Sequence, residues 1–454
     1  MPVTDMDCLR AEIATIHAVY NVGRVIKIGR GTLTVSGLSS TASLGDQVSI
    51  TRRGNVTIGG EVLQLSRDQV VILPDHSVEG VVIGDRVTLL GEAMIAPDSN
   101  WIGRIIDPSG NPLDGRPMMR GVQPRTMRAT PPKATERRGL GERLETGVAI
   151  FNTLLPIVRG QRIGLFAGSG VGKSTLLAKF ARGVSADVVV IALIGERGRE
   201  VREFVEQVLG PEGMKRAVVV AATSDQSPLV RRRCAWTAMA VAEHFRDQGL
   251  HVLLLADSIT RFAEAHREVA LASGEVASLR GYPPSTSHMI MSLCERAGPG
   301  TGGAGDITAL FSVLVAGSDM EEPVADILRG VLDGHVVLDR KIAERGRFPA
   351  IDLLRSVSRS LPAAATFEEN QIIAQARQLL GAYDRAEMMI QAGLYTAGSD
   401  PIIDDAIKVW PQLDAFLAKD GESGVAANFT DLAECLVDES TQSDDVAQGS
   451  KNLR

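Results

Sequence analysis

The chain has 454 residues, 44% of them hydrophobic and 23% charged, which excludes wholesale disorder and implies roughly three domains with ample buried core. Its 48 basic and 55 acidic side chains leave a net charge of −7, which excludes a broadly basic surface for coating nucleic acid. Aromatic residues are only 4%, poor material for stacking single-stranded bases.

The longest clean apolar runs, 188–194 and 252–256, fall far short of the roughly 20 residues that cross a bilayer. The N-terminus, MPVTDMDCLR, carries acids before any apolar stretch, unlike a secretory signal. Cys8, Cys234, Cys294 and Cys435 lie far apart with no Cys-x-x-Cys pair, which excludes a disulfide framework and fits a reducing cytoplasm. The seven histidines lack metal-ligand spacing and read as structural or surface residues.

In chain order, residues 5–19 place Leu9, Ile13 and Ile16 on one stripe of an amphipathic helix, with Asp5 or Asp7 available as a cap. Such a helix either packs on its own domain or docks a partner. Residues 20–92 alternate short Val/Ile/Leu/Thr runs with Gly, Asp and Asn turns, predicting a small β-barrel or sandwich. Pro-, Gly- and Arg-rich segments between 97 and 147 lead into the next unit. From Gly160 to Pro362 strand-like and helical patterns alternate, as in a mostly parallel, doubly wound sheet, so the nucleotide domain is placed at 93–365. Residues 366–440 read as a helical domain and 441–454 as a polar tail.

The chemistry concentrates in RIGLFAGSGVGKSTLLA, residues 162–178, an apolar strand running through a glycine-rich turn into a helix. Backbone amides of Gly168, Ser169, Gly170, Val171 and Gly172 would cradle phosphate oxygens at the helix N-terminus, continued by Lys173, Ser174 and Thr175. Lys173 would reach the β- and γ-phosphates of ATP and Ser174 would hold Mg²⁺. The pattern begins with Ala167 where glycine is usual. A bare G-K-[ST] arises by chance in roughly 0.2 of chains this long, so the flanking strand and helix carry the assignment. Two acids close apolar strands, Glu196 and Asp257. Buried strand ends tolerate acids that meet a cation or a polarised water, so Asp257 suits the Mg²⁺ shell and Glu196 the base that orients the attacking water. Arg197, Arg199, Arg296, Arg355 and Arg359 are all candidates to neutralise the departing charge, and spacing does not choose among them.

GERGRE (195–200), LLLADSITRFA (253–263) and PAIDLLRSVSR (349–359) resemble the signatures of rotary ATP synthase α/β subunits, the resemblance running from about Val22 to Ile407. FAGSGVGKS, RGYPPS (280–285), ERAG (295–298) and GSDPIIDDAI (398–407) look most like the flagellar type III export ATPases, with their virulence relatives next. The resemblance implies an α/β fold: a RecA-like P-loop NTPase core with an N-terminal β-barrel and a C-terminal helical domain. By residue it implies a catalytic Glu196 beside Arg197, a magnesium acid in Asp257, an adenine-packing aromatic in Phe348, and an arginine finger, Arg359, offered across a subunit interface.

It further implies a cytoplasmic homohexamer, peripheral to the inner-membrane export apparatus and hydrolysing Mg-ATP to energise export. Its partners would be a central stalk protein, a regulatory stator-like protein docked on the 5–19 helix, chaperone–substrate complexes and the export gate, with no nucleic acid among them. The rivals are a virulence export ATPase, a catalytic subunit of a proton-translocating synthase, a hexameric RNA translocase and a nucleotide-binding scaffold without turnover. Residues 21–92 contain no Phe or Trp, which disfavours the RNA translocase, and Glu196 disfavours the scaffold.

Overall fold

The computed structural model describes residues 5–16, 19–278, 281–315 and 320–437; the expected polar tail, and Arg280 of RGYPPS, lie outside them. Helix α1 (Asp5–Ala14) opens the chain and stops short of the anticipated residue 19. Cys8 is its buried side chain, whereas Leu9, Ile13 and Ile16 are 44%, 59% and 72% exposed. The apolar stripe therefore faces solvent, and the helix rests on its opposite side.

Six strands follow: β1 (Val22–Ile28), β2 (Leu33–Ser36), β3 (Gln47–Thr51), β4 (Thr57–Leu65), β5 (Val70–Pro74) and β6 (Arg86–Gly91). They close into a barrel in the order β1-β2-β5-β4-β3-β6, which leaves no edge to pair with other chains. The period of two in β3 and β5 sends Val48, Ile50, Val70 and Ile72 into the barrel interior.

The barrel is joined to the next domain through charge. Glu61 on β4 is buried and ion-paired with Arg128, Arg232 and Arg233, and Arg232 Nη2 donates to Glu61 Oε1 at 2.8 Å. Burial opposes ionisation of Glu61, but the three guanidinium groups outweigh it and hold the carboxyl below its ordinary value. Arg128 and Arg232 also lie over the Trp236 ring at 4.5 and 4.9 Å.

In the nucleotide domain β7 (Met94–Ile95) pairs with β9 (Arg125–Thr126), and β8 (Arg104–Ile106) forms one edge of the main sheet. The other strands of that sheet are β10 (Arg162–Ala167), β11 (Val188–Glu196), β12 (Ala217–Thr223), β13 (His251–Asp257), β14 (Gly298–Pro299), β15 (Asp306–Leu314), β16 (Gly334–Leu338) and β17 (Ile351–Ser358). Their order is β17-β16-β10-β15-β13-β11-β12-β8, parallel except that β17 runs against β16 and β14 against β15. The strands are buried on both faces, as a sheet covered by helices requires.

Helices α2 (Ala149–Asn152), α3 (Lys173–Gly183), α4 (Gly198–Glu203) and α5 (Gly210–Met214) precede α6 (Pro228–Asp247), α7 (Ile259–Ala272), α8 (Ser285–Arg296), α9 (Pro323–Val331) and α10 (Arg340–Glu344). Leu176 and Phe180 of α3 join the core on one sheet face, while Met239 of α6, Phe262 of α7 and Ile290 of α8 join that on the other. The chain closes with α11 (Phe367–Gln391), α12 (Pro401–Leu417) and α13 (Val425–Cys435). Thr366 and Glu369 cap α11 reciprocally, and Arg143 grips Glu369 with two hydrogen bonds of 3.1 and 2.8 Å, docking the helices on the nucleotide domain.

Candidate active site

The turn between β10 and α3 is built as the glycine pattern predicts. Gly170 and Gly172 take φ of 78° and 84°, the left-handed region that glycine enters without a Cβ penalty. Lys173 and Ser174 begin α3, so the free amides of its first turn face the loop. Ala167 at the head of the motif is fully buried in the sheet core, where its methyl packs and no special backbone is required.

A Cβ on Gly172 would come within 3.2 Å of Phe348 Cδ1, so the Phe348 ring covers the loop, half exposed and free to pack on a flat apolar group. Gly168, Ser169, Val171, Ser174 and Thr175 all lie on this one strand–turn–helix unit, with Ser169, Ser174 and Thr175 open to solvent and Val171 buried beneath.

The two acids stand where the strands deliver them. Asp257 is level with Leu193 in the parallel β11–β13 pair, three residues short of Glu196, so both carboxylates crown adjacent strands at their carboxyl ends. Lys173 Nζ is ion-paired with Asp257 Oδ1, and Ser312 Oγ donates to that same oxygen at 2.7 Å. A small cleft of about 80 Å³ joins Ser174, Glu196, Glu200 and Asp257 over a floor of Leu193, Val201 and Phe204. A serine hydroxyl and carboxylates form the hard oxygen donor set that suits Mg²⁺. A wider cleft of about 600 Å³, between β17 and α11–α12, contains none of these groups.

Electrostatics separates the carboxylates. Burial and the neighbouring Asp257 charge push Glu196 up to about 7, against the pull of Lys173. Burial also disfavours the charge on Glu200, but hydrogen bonds from Glu196 and Arg197 prevail and hold it below its ordinary value. Glu200 was not singled out from sequence, although its position four residues after a strand-end glutamate was the available signal. Ser312 gave no local signal at all, because it reaches Asp257 from β15 across the sheet.

Not all expected residues converge. Arg197 is 80% exposed and donates to Glu200 Oε1 at 2.8 Å, outside the cleft. Arg359 lies at the far end of the sheet. Ser358 pairs with Gly334 and Ile351 with Leu338, and Leu338 is level with Ala167 at the head of the phosphate loop. Four residues of strand thus separate Arg359 from its own loop, about 13 Å before the loop itself is added. Its Nη2 instead donates to the Arg329 carbonyl at 3.2 Å.

Phosphate loop, strand-end acids and a mostly parallel sheet together define a P-loop ATPase. The family model described as ATP synthase alpha/beta family, nucleotide-binding domain, matches residues 147–358, and that described as T3SS EscN ATPase C-terminal domain matches 365–432. The flagellum-specific ATP synthase of Caulobacter vibrioides is 45% identical, over 93% of this chain and 96% of its own. The assembled ATPase EscN of the enteropathogenic E. coli type III secretion system superposes with a TM-score of 0.84 at 37% identity, over 91% of this chain and all of its own. EscN in complex with its central stalk EscO gives a TM-score of 0.82 at 38% identity, with the same coverage. The chain belongs to the family of flagellum-specific ATP synthases and type III secretion ATPases.

Proposed function

We propose that this chain hydrolyses Mg-ATP as a homohexameric ring that energises type III protein export for flagellum assembly. The observation that carries the reading is the cleft joining Ser174, Asp257 and Glu196 at the end of the phosphate loop. Flagellar export is the main reading because flagellum-specific relatives run from 41% to 45% identity, whereas the type 3 secretion system ATPase of Xanthomonas euvesicatoria is at 41% and EscN at 37%, at the lower edge of that range or below it.

In the proposed reaction the loop amides and Lys173 hold the β- and γ-phosphates, and Phe348 packs on adenine. Ser174 and Asp257 would hold Mg²⁺, which would neutralise phosphate charge. Lys173, ion-paired with Asp257 here, would turn to phosphate when nucleotide binds, which would leave the Asp257 carboxylate open to a metal. Glu196 accepts a hydrogen bond from the water that attacks the γ-phosphorus and takes its proton as the bond to the ADP oxygen breaks. Arg197, held on Glu200, fixes the turn that carries Glu196. Arg359 supplies the cation for the neighbouring subunit's site, where the strand geometry puts it out of reach of its own.

A head-to-tail ring of this kind would carry a central stalk, as EscN does with EscO. The exposed face of α1 would take the stator-like regulator, and chaperone–substrate complexes would be delivered to the membrane export gate. Among the described residues no helix is long and apolar enough to cross a membrane. The proposed ATPase would work in the cytoplasm and reach the inner membrane through its partners. Steady-state phosphate release tests the assignment. Lys173→Ala should lower kcat at least ~10²-fold by removing the phosphate cation; turnover near that of the parent would overturn the site.

A further inference from the structure

Arg359 has a short anchor that leads back to the phosphate strand. Its backbone N–H donates to the Asp333 carbonyl at 3.0 Å, and Asp333 N in turn donates to Arg162 O at 2.8 Å. The Asp333 carboxylate grips Arg162 three times: Oδ2 accepts from Arg162 N and Nε, both at 3.0 Å, and Oδ1 accepts from Nη2 at 3.1 Å. Arg162 is the first residue of β10, the strand that ends in the phosphate loop. Next along, Gln161 Nε2 donates to the Asp333 carbonyl at 3.0 Å and to Ser358 Oγ at 3.2 Å. Gly334 brings β16 so close to β17 that a Cβ there would sit 2.6 Å from Val357 O.

We infer that Asp333 is a positioning residue for Arg359: its fork on Arg162 fixes the root of the finger to the base of β10, so the strand that holds one subunit's nucleotide also aims the cation given to its neighbour. A charged, bidentate fork with an added backbone bond allows little play. An unfixed root would let Arg359 wander by an ångström or more at the tip, and misplacement of that order costs roughly 10²-fold in rate. The inference rests on the reading that Arg359 acts in trans.

The test compares Asp333→Asn, Arg359→Ala and the double variant in phosphate release, and mixes each single variant with Lys173→Ala protein. Asp333→Asn should lower kcat roughly 10- to 100-fold with little change in the KM for Mg-ATP. The double variant should be no slower than Arg359→Ala alone. Turnover per Asp333→Asn protomer should rise when inactive Lys173→Ala subunits are added, because these bring intact fingers. If Arg359→Ala itself keeps normal turnover, the trans reading fails and the inference with it. If Arg359→Ala is slow but Asp333→Asn is normal, or the two losses multiply, or mixing gives no rise, the finger survives and Asp333 has no part in aiming it. Should Asp333→Asn fail to fold, Arg162→Gln breaks the same fork from the other side, together with the ion pair of Arg162 Nη1 to Glu295 Oε1 at 2.7 Å, and is held to the same outcomes.

Discussion

Glu196 and Glu200 are hydrogen-bonded to each other where β11 meets α4, and their contact raises the one carboxyl and lowers the other. Burial and Asp257 push Glu196 up to about 7, while Glu200 is held low. A water-orienting base works only when ionised, so kcat/KM for Mg-ATP should rise as pH climbs through about 7 and then level off. Glu200→Gln removes a negative neighbour and should move this acid limb to lower pH. A profile that stays in place in that variant would show that Glu196 does not govern it.

Glu196→Gln separates binding from chemistry. The amide keeps the shape of the side chain but accepts no proton, so nucleotide binding should persist and hydrolysis should be lost. Stability provides an independent reading. A carboxyl moved from 4.5 to about 7 on folding favours the folded chain below about 4.5, and that advantage disappears as pH rises through about 7. Glutamine has no such dependence. At pH 8 the nucleotide-free variant should therefore gain about 1–2 kcal/mol on the parent relative to pH 4.5, after discounting for solvent screening of a partly exposed group. Unfolding midpoints of both proteins across that range check it, and parallel curves would count against the raised value.

What the sequence revealed follows from how local each signal was. Glu196 and Asp257 were legible because an acid after an unbroken apolar run is anomalous unless the strand ends at a site. The phosphate loop was legible because glycine, lysine and serine sit within a few residues of one another. Ser312, Asp333 and the Glu61–Arg232 joint were not, because each acts on a partner 55, 171 or 171 residues away, and contacts through the sheet leave no local pattern. Periodicity found a stripe on α1 but not its direction. Burial of Cys8 on the other side is a tertiary fact that spacing does not encode.

Arg359 and Lys173 sit at opposite ends of β10's neighbourhood, so one subunit alone cannot bring them to one phosphate. Arg359→Ala should lower kcat on the order of 10³-fold or more, the scale expected of an arginine finger. Mixed with Lys173→Ala protein, it should regain activity, since hybrid interfaces pair an intact loop with an intact finger. Verified mixed rings without recovery would count against action in trans.

Helix α1 and the residues just after it offer Met6, Leu9, Ile13 and Ile16 to solvent at 58%, 44%, 59% and 72% exposure, an unusual amount of apolar surface for so short a segment. Cys8 is its buried side chain, and Glu12 borders a cleft with Trp101 and Met94. That cleft shares no residue with the one that joins Ser174, Glu196 and Asp257. Removing residues 1–18 should therefore leave basal phosphate release within about twofold, a surface change remote from the chemistry. The same truncation should abolish binding of the stator-like regulator, measured by titration of the purified proteins. A single Ile13→Asp substitution should weaken that binding without truncation, since it places a charge in the middle of the apolar stripe while Cys8 keeps the helix seated. Unchanged affinity in both variants would move the regulator's site elsewhere on the ring.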